Sequence, residues 1–430
     1  MAPSLFTYNI TRPYPFRWFT PLVVISSILA LLLFTTLNLV TAGYVLSTES
    51  SQNPNATIAA NGLWFRAWPS YFSSKMQPSC EPVTLPVGSR FFTNHTGLTY
   101  TLVSVTDPST GAVGGAMSPS LSYLNQPLEN CEVSLVQIEV SSADRTAWQF
   151  ATTQWGAASR IYITCGIFGP NGFTSLNLTV EYDLLPTSMA GFRQGTFKFL
   201  KSDQQNGAAL WWGESLLSIY WNEVSYTMQR IRDEDSNNGD DILRKGSIAL
   251  SPSTTQRDIT QPEFFDLNYR FIKDNNYDIV YRQGGDQNMK DWIANKEYPN
   301  IWLPADNLGK SLFSVTLSDL GQKTSSILTD TAVLQKYTEE FPNLISLPGM
   351  NAETGPAKAS YENLKNSTGP LETSPAIISA KYLCQVPRRR AMGALIMALI
   401  LANLVLLRAS WALLTFFTSF YVTKFDPAGK

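Results

Sequence analysis

The chain has 430 residues, of which 44% are hydrophobic and only 15% charged, and its net charge is −2. That length exceeds one typical domain, and so weak a charge argues against electrostatic binding of nucleic acid. A single histidine and four cysteines leave little material for a metal centre or a histidine-based active site.

Residues 1–21 hold Arg12 and Arg17, no acid, and the aromatic residues Tyr14, Phe16 and Trp18. They lead into residues 22–45, 24 uncharged residues from Leu22 to Val45. At about 1.5 Å per residue such a helix reaches about 36 Å, enough to cross a hydrocarbon core of about 30 Å. The run is longer than the roughly 7 to 15 apolar residues of a cleaved signal peptide, so it predicts a retained transmembrane helix. The positive charges ahead of it predict a cytosolic N-terminal tail.

Residues 46–383 hold 24 of the 32 Lys and Arg and 33 of the 34 Asp and Glu, a net charge of −9. By length they suggest two domains, and by charge they are poor partners for nucleic acid or anionic lipid. Cys80, Cys131, Cys165 and Cys384 form an even set compatible with disulfides outside the cytosol. Cys131 opens one strand-like run and Cys165 ends another, so antiparallel pairing would bring them level, and Cys131 with Cys165 is the favoured bridge. Buried free thiols are the alternative. Sequons at Asn55, Asn94, Asn177 and Asn366 are candidate glycosylation sites, although a chain so rich in Ser and Thr generates several by chance. Leu176, Leu178, Val180, Tyr182 and Leu184 alternate strictly, which leaves Asn177 on a polar strand face.

Runs at 98–105, 131–140, 160–168 and 175–184 are rich in Val, Ile, Thr and Tyr and predict an antiparallel sheet or sandwich over 61–186. Their alternation slips by one residue at Leu102-Val103 and at Leu135-Val136, which predicts a β-bulge in each. Leu210, Gly213, Leu217, Tyr220, Trp221, Val224, Met228 and Ile231 recur every three or four residues, so 208–232 reads as an amphipathic helix. It runs into the acidic stretch 233–241, where Lys245 stands at the position a calcium loop reserves for Glu, so a solvated loop is expected. LNYRFI and YDIVYRQ read as strands, 310–320 and 331–341 as helices, and 343–375 as an irregular return. The fold class is α+β: a β-rich extracytosolic domain with later amphipathic helices, plus two transmembrane helices.

The second apolar run, Ala391 to Leu407, follows Arg388, Arg389 and Arg390 and ends at Arg408. The first span usually dominates orientation, and Arg408 would snorkel to cytosolic headgroups, so both termini are expected in the cytosol. Trp411 to Val422 is too short for a third crossing and is expected to continue the helix into the inner interface. Ala394, Ala398 and Ala402 repeat every four residues and suit close packing against Ser27, Thr35, Asn38 and Ala42 of the first span. Antiparallel spans with central residues near Phe34 and Leu399 would set Ala394 at the depth of Asn38. The resulting division is a cytosolic tail 1–21, a transmembrane helix 22–45, a β-rich part 46–195, an α+β part 196–383, a transmembrane helix 391–411, and an interfacial segment with cytosolic tail 412–430.

The chain contains no phosphate-cradling loop, no GxSxG and no HExxH, so no catalytic, cofactor-binding or metal-ligating residue is assigned and no cofactor is expected. His95 lies inside a sequon. Nine tryptophans between the spans suggest either core packing or a sugar-binding platform. The segments ITRPYPFRWFTP, NCEVSLVQIEV, ALWWGESLLSIYW, SLFSVTLSDLGQ and STGPLETSPAIISAKYLCQVPRRR resemble an uncharacterised group of filamentous-fungal membrane proteins with one transmembrane span near each end. More loosely, the topology is similar to that of the β-subunits of lipid flippases and of trimeric two-span ion channels. The resemblance implies a membrane location and carries no activity. The expected partners are the lipid bilayer and either a membrane protein or cell-wall polysaccharide. The first expectation is a non-enzymatic interaction or accessory subunit, and the alternative is a carbohydrate-binding or carbohydrate-acting ectodomain.

Overall fold

The structure, a computed structural model, describes residues 19–42, 44–54, 79–107, 116–142, 155–169, 172–184, 207–239, 242–273, 279–282, 289–324, 326–346 and 359–425. In chain order these begin with α1 (Phe19–Ala42), β1 (Tyr44–Ser51), β2 (Ser79–Cys80), β3 (Val83–Pro86), β4 (Arg90–Phe92), β5 (Thr99–Asp107), β6 (Ala116–Ser118) and β7 (Ser120–Tyr123). The long strands β8 (Glu129–Ser142), β9 (Trp155–Gly169) and β10 (Gly172–Leu184) follow, then α2 (Ala208–Asn238), β11 (Leu243–Pro252), β12 (Phe265–Lys273) and β13 (Ile279–Arg282). The remainder is α3 (Met289–Asn295), α4 (Trp302–Asp319), α5 (Thr331–Glu339), α6 (Phe341–Ile345), α7 (Tyr361–Thr368), β14 (Tyr382–Arg389) and α8 (Met392–Phe425). They form two compact units, one made of both chain ends (Met1–Glu81 with Lys381–Lys430) and one the body (Pro82–Ala380).

The body is built on one nine-stranded antiparallel sheet in the order β13-β12-β11-β8-β9-β10-β5-β4, with β6 on β5. Alternation decides which face is buried: Val136, Ile138 and Val140 of β8 point inward with Ile161 and Ile163 of β9 and Leu176, Leu178 and Val180 of β10. Both expected bulges are present. β5 slips against β10 at Val103, between the partners of Asn177 and Leu178, and β8 slips against β9 between Val133 and Leu135. The bulge at Ser134 returns Val136 to the inner face after Val133. The division at 195/196 does not appear in the sheet, because β11 pairs directly with β8 and carries β12 and β13 with it.

The inner face is covered by α2 and α4. Along α2, Trp212, Leu216, Leu217, Tyr220, Val224 and Met228 are buried, and Gly213 marks the closest approach, since a Cβ there would lie 2.6 Å from Val315 of α4. The helix runs on through 233–238, where a loop was expected; Ile231 and Asp235 are buried, Tyr298 donates to Asp235 at 2.8 Å, and Gly239 closes the helix at φ 74°. α4 begins eight residues earlier than its periodicity suggested, because Trp302 to Lys310 is buried on nearly every side and shows no polar face to read. The return stretch 343–375 is more ordered than its composition suggested, holding the end of α6 and all of α7, whose Tyr361 and Thr368 are buried.

Burial leaves several carboxyls far from their ordinary ionisation. Loss of water pushes Glu214 up to about 7, and does the same to Glu223, with the nearby Glu340 adding repulsion. One oxygen of Glu223 is buried without a partner. A carboxyl raised in the folded state holds its proton there at a pH where the unfolded chain has released it. The contribution of these two groups to stability is therefore greatest below about 4.5, falls as pH rises toward 7, and levels off above. Urea denaturation of the full-length protein in detergent should show a lower midpoint at about pH 8 than at about pH 5. Glu223→Gln should remove a share on the order of 3 kcal/mol of that fall; an unchanged pH dependence in the variant would contradict the assignment.

Candidate functional site

The unit made of both chain ends brings together residues far apart in sequence. β1 pairs antiparallel with β14, from Tyr44 with Arg389 to Ser51 with Tyr382, and β2 takes the other edge of β14. Cys80 and Cys384 are directly opposite in that register and form a disulfide, and Glu49 and Arg388 form an ion pair across the ladder. The pair holds the Glu49 carboxyl below its usual range through the hydrogen bond from Arg388. The first apolar helix ends at Ala42, so Tyr44 and Val45 belong to the strand and not to the span expected over 22–45.

α1 and α8 pack together, and polar atoms meet between them. Asn38 donates to Asn403 at 2.9 Å, Asn403 donates to the Thr35 hydroxyl at 3.0 Å, and that hydroxyl donates to the Leu31 carbonyl at 2.7 Å. Each amide thereby avoids an unpaired exposure to apolar surroundings. Ala398 and Ala402 are half-buried, whereas Ala394 is exposed and Ser27 turns back to bond the Val23 carbonyl. The expected level of Ala394 with Asn38 is thus corrected: Asn403, nine residues further along, stands there. Equal centring of two apolar runs ignored the amides, and Asn403 was itself the signal, being a second lone amide in an apolar run. α8 continues past residue 411 to Phe425 as one helix, and its stretch Met392–Phe417 is long and apolar enough to cross a membrane. α1 carries the shorter apolar stretch Val23–Leu39.

In the body, Cys131 and Cys165 are joined across β8 and β9 on the buried face. His95 Nδ1 lies 2.9 Å from the backbone carbonyl of Asp319, and Nε2 lies 2.8 Å from the Ser374 hydroxyl. This places a serine on an imidazole, as a nucleophile would be. The carboxylate is elsewhere: Asp319 accepts from Thr93 Oγ1, Gly97 N, Leu98 N and Tyr100 Oη at 2.8 to 3.3 Å. His95 and Asn94, which accepts from Ile377 N at 2.9 Å, tie the returning chain 374–378 to the 93–98 turn. That is a structural latch. On α4 the buried Lys310 pairs with Asp306 at 2.6 Å and also donates to the Gln261 carbonyl at 2.8 Å. Loss of water raises Asp306 to about 6 and lowers Lys310.

Of the sequon asparagines, Asn94, Asn177 and Asn366 are exposed, Asn177 bonding Ser104 and Thr164 across three strands, and Asn55 lies outside the described residues. Trp155, Trp211, Trp212, Trp221, Trp292 and Trp302 are all buried, so these six form core and not a sugar-binding platform; Trp64, Trp68 and Trp148 lie outside the described residues. Glu139, Ser141, Lys245, Ser247 and Arg270 line a shallow depression of about 400 Å³ with charges of both signs. Among the described residues no three His, Cys, Asp or Glu converge as a metal site. Comparison of the chain with protein-family models, curated proteins and solved structures finds no match.

Two outcomes follow from this geometry. The double variant Asn38→Cys with Asn403→Cys should cross-link efficiently within one chain, and Asn38→Cys with Ala394→Cys should not; the reverse result would show a different helix register. A fluorophosphonate probe should leave Ser374 unlabelled, since the imidazole beside it is oriented by a backbone carbonyl and not by a carboxylate. Covalent labelling lost on Ser374→Ala would instead mark a hydrolase.

Proposed function

We propose that the chain is a two-span membrane protein with both termini in the cytosol and residues 46–383 outside it, acting as a non-enzymatic interaction or accessory subunit. The observation that carries this reading is the hydrogen-bonded contact of Asn38, Asn403 and Thr35 between two helices whose other faces are exposed Leu, Ile, Val and Phe. In water those faces would drive aggregation, whereas in lipid they are at ease and the amides become the specific contact. The disulfides Cys80–Cys384 and Cys131–Cys165 suit an oxidising compartment. Arg388 to Arg390 lie on the side that the positive-inside tendency disfavours, and the Glu49 ion pair offsets part of that charge. The hydrogen bonds of Asp319, His95, Asn94 and Lys310 hold the body together, which supports a binding role over a catalytic one. The carbohydrate-binding reading finds no platform among the described tryptophans.

Tags placed before Met1 and after Lys430 should be protected from protease added to intact cells, while an endoglycosidase should increase the gel mobility of the same protein. A tag digested from outside, or a protein with neither glycan nor protease-sensitive middle region, would overturn this topology.

A further inference from the structure

The helices α2 and α4 cover one face of the sheet, and strand pairing shapes a depression on the other. Ala158 of β9, Glu139 of β8, Ser247 of β11 and Arg270 of β12 stand opposite one another in a single cross-strand row, and Ser141 of β8 faces Lys245 of β11 in the next. All six alternate with inward residues such as Ile138, Val140 and Ile248, so they share the solvent side. Ala158, Ser141 and Ser247 are short, whereas Glu139, Lys245 and Arg270 are long. That contrast hollows out the volume of about 400 Å³.

The charges around this hollow do not cancel one another. Glu139 and Arg270 are two strands apart, about 10 Å between backbones, with Ser247 between them. The Glu139 carboxylate turns along its own strand to accept from Gln137 at 2.8 Å. Lys245 and Arg270 are diagonal neighbours across β11 and β12, and among the described residues neither makes a hydrogen bond or an ion pair. The hydroxyls of Ser141 and Ser247 make none there either. One row along on the same face, Arg160 does find an acid, Glu181 at 2.7 Å. In a region of net charge −9, two adjacent cations without an acid run against the composition.

A ligand in the hollow meets two positive groups on one side, a carboxylate on the other and two hydroxyls on the floor. A bare anion such as phosphate is drawn by Lys245 and Arg270 and repelled by Glu139. A neutral polyol suits the serines and leaves both cations unpaired. Glutamate answers the charges and has no hydroxyl for the serines. A molecule with one carboxylate and several hydroxyls suits every group: the carboxylate takes the guanidinium fork and the ammonium, and its hydroxyls donate to Glu139 and bond Ser141 and Ser247. The row from Ala158 to Arg270 spans about 14 Å and is open to solvent, so such a unit fits there as part of a longer chain.

We propose that this depression is a binding site for an acidic saccharide, a sugar carrying a carboxylate, held by charge and hydroxyls and not by ring stacking. The site rests on the strand register of the body and not on the two-span reading.

The test is titration calorimetry on the full-length protein in detergent at low salt, with tri-galacturonate and a glucuronate trimer as probes. At least one of them should bind saturably, and galactotriose, glutamate and inorganic phosphate should bind at least about tenfold more weakly. Lys245→Ala and Arg270→Ala should each weaken the acidic probe about tenfold, because each removes a charge-assisted contact. Ser247→Leu should weaken it as well by filling the floor, whereas Arg160→Ala, on the same face, should leave it unchanged. These side chains are exposed or half-buried, and an unchanged thermal midpoint reports that each variant is folded. No saturable binding of either acidic probe, equal binding of galactotriose, glutamate or phosphate, or full affinity in the Lys245→Ala, Arg270→Ala double variant overturns the proposal. Binding by the purified protein is independent of how the chain threads a bilayer, so the protease and glycosidase results on topology neither rescue nor defeat it.

Discussion

Asp319 ends α4 with no access to water, and its two oxygens draw four donors from one short stretch, Thr93 to Tyr100. A carboxylate at a helix C-terminus faces the negative end of the helix dipole and has lost its hydration as well, and burial accordingly raises it above its ordinary ionisation. Only a dense set of donors makes that position tenable, so the chain before β5 is shaped to provide them. Gly97 is part of the shaping, because a Cβ there would lie 2.5 Å from the Asp319 oxygen that its own N–H reaches. His95 then extends the same node to Ser374 through the Asp319 carbonyl. The sheet edge, the central helix and the returning chain thus share one residue, Asp319, as their common point: its carboxylate holds 93–100 and its backbone carbonyl holds His95.

The unit made of both ends uses polar atoms more sparingly. Three side chains set the register of α1 against α8, and a ladder of eight residue pairs sets β1 against β14. In an apolar setting this is enough, since leucine against leucine favours no one register over another, while each amide has few places to go.

Much of the body was legible because alternation and helical recurrence leave marks in sequence. The four long strands, the bulges at Val103 and Ser134 and the start of α2 all follow from which face must be buried. The first turns of α4 were not legible, because a helix buried all round shows no contrast between faces. Nor was the join of β11 to β8, which depends on residues about a hundred positions apart recognising each other's edge. Among the candidate site residues, Asn38 was visible as an amide in an apolar run, and its partner was missed because spans were centred on apolar length. The pairing of Arg388 with Glu49 was hidden for another reason: neither residue belongs to a pattern, and they meet only because β1 and β14 pair and the side chains reach along the ladder, Glu49 standing opposite Cys384 and Arg388 opposite Val45.

The Cys80–Cys384 bond encloses the whole of Pro82–Ala380 in a covalent ring, with one apolar helix on each arm leaving it. A protease that cuts once inside the ring leaves two fragments that remain joined, and reduction afterwards leaves each fragment still attached to its own helix. On the two-span reading proposed above, shedding of the body as a free soluble fragment requires two separate cleavages, one on each arm. A single nick inside the ring changes only how the protein runs on a reducing gel.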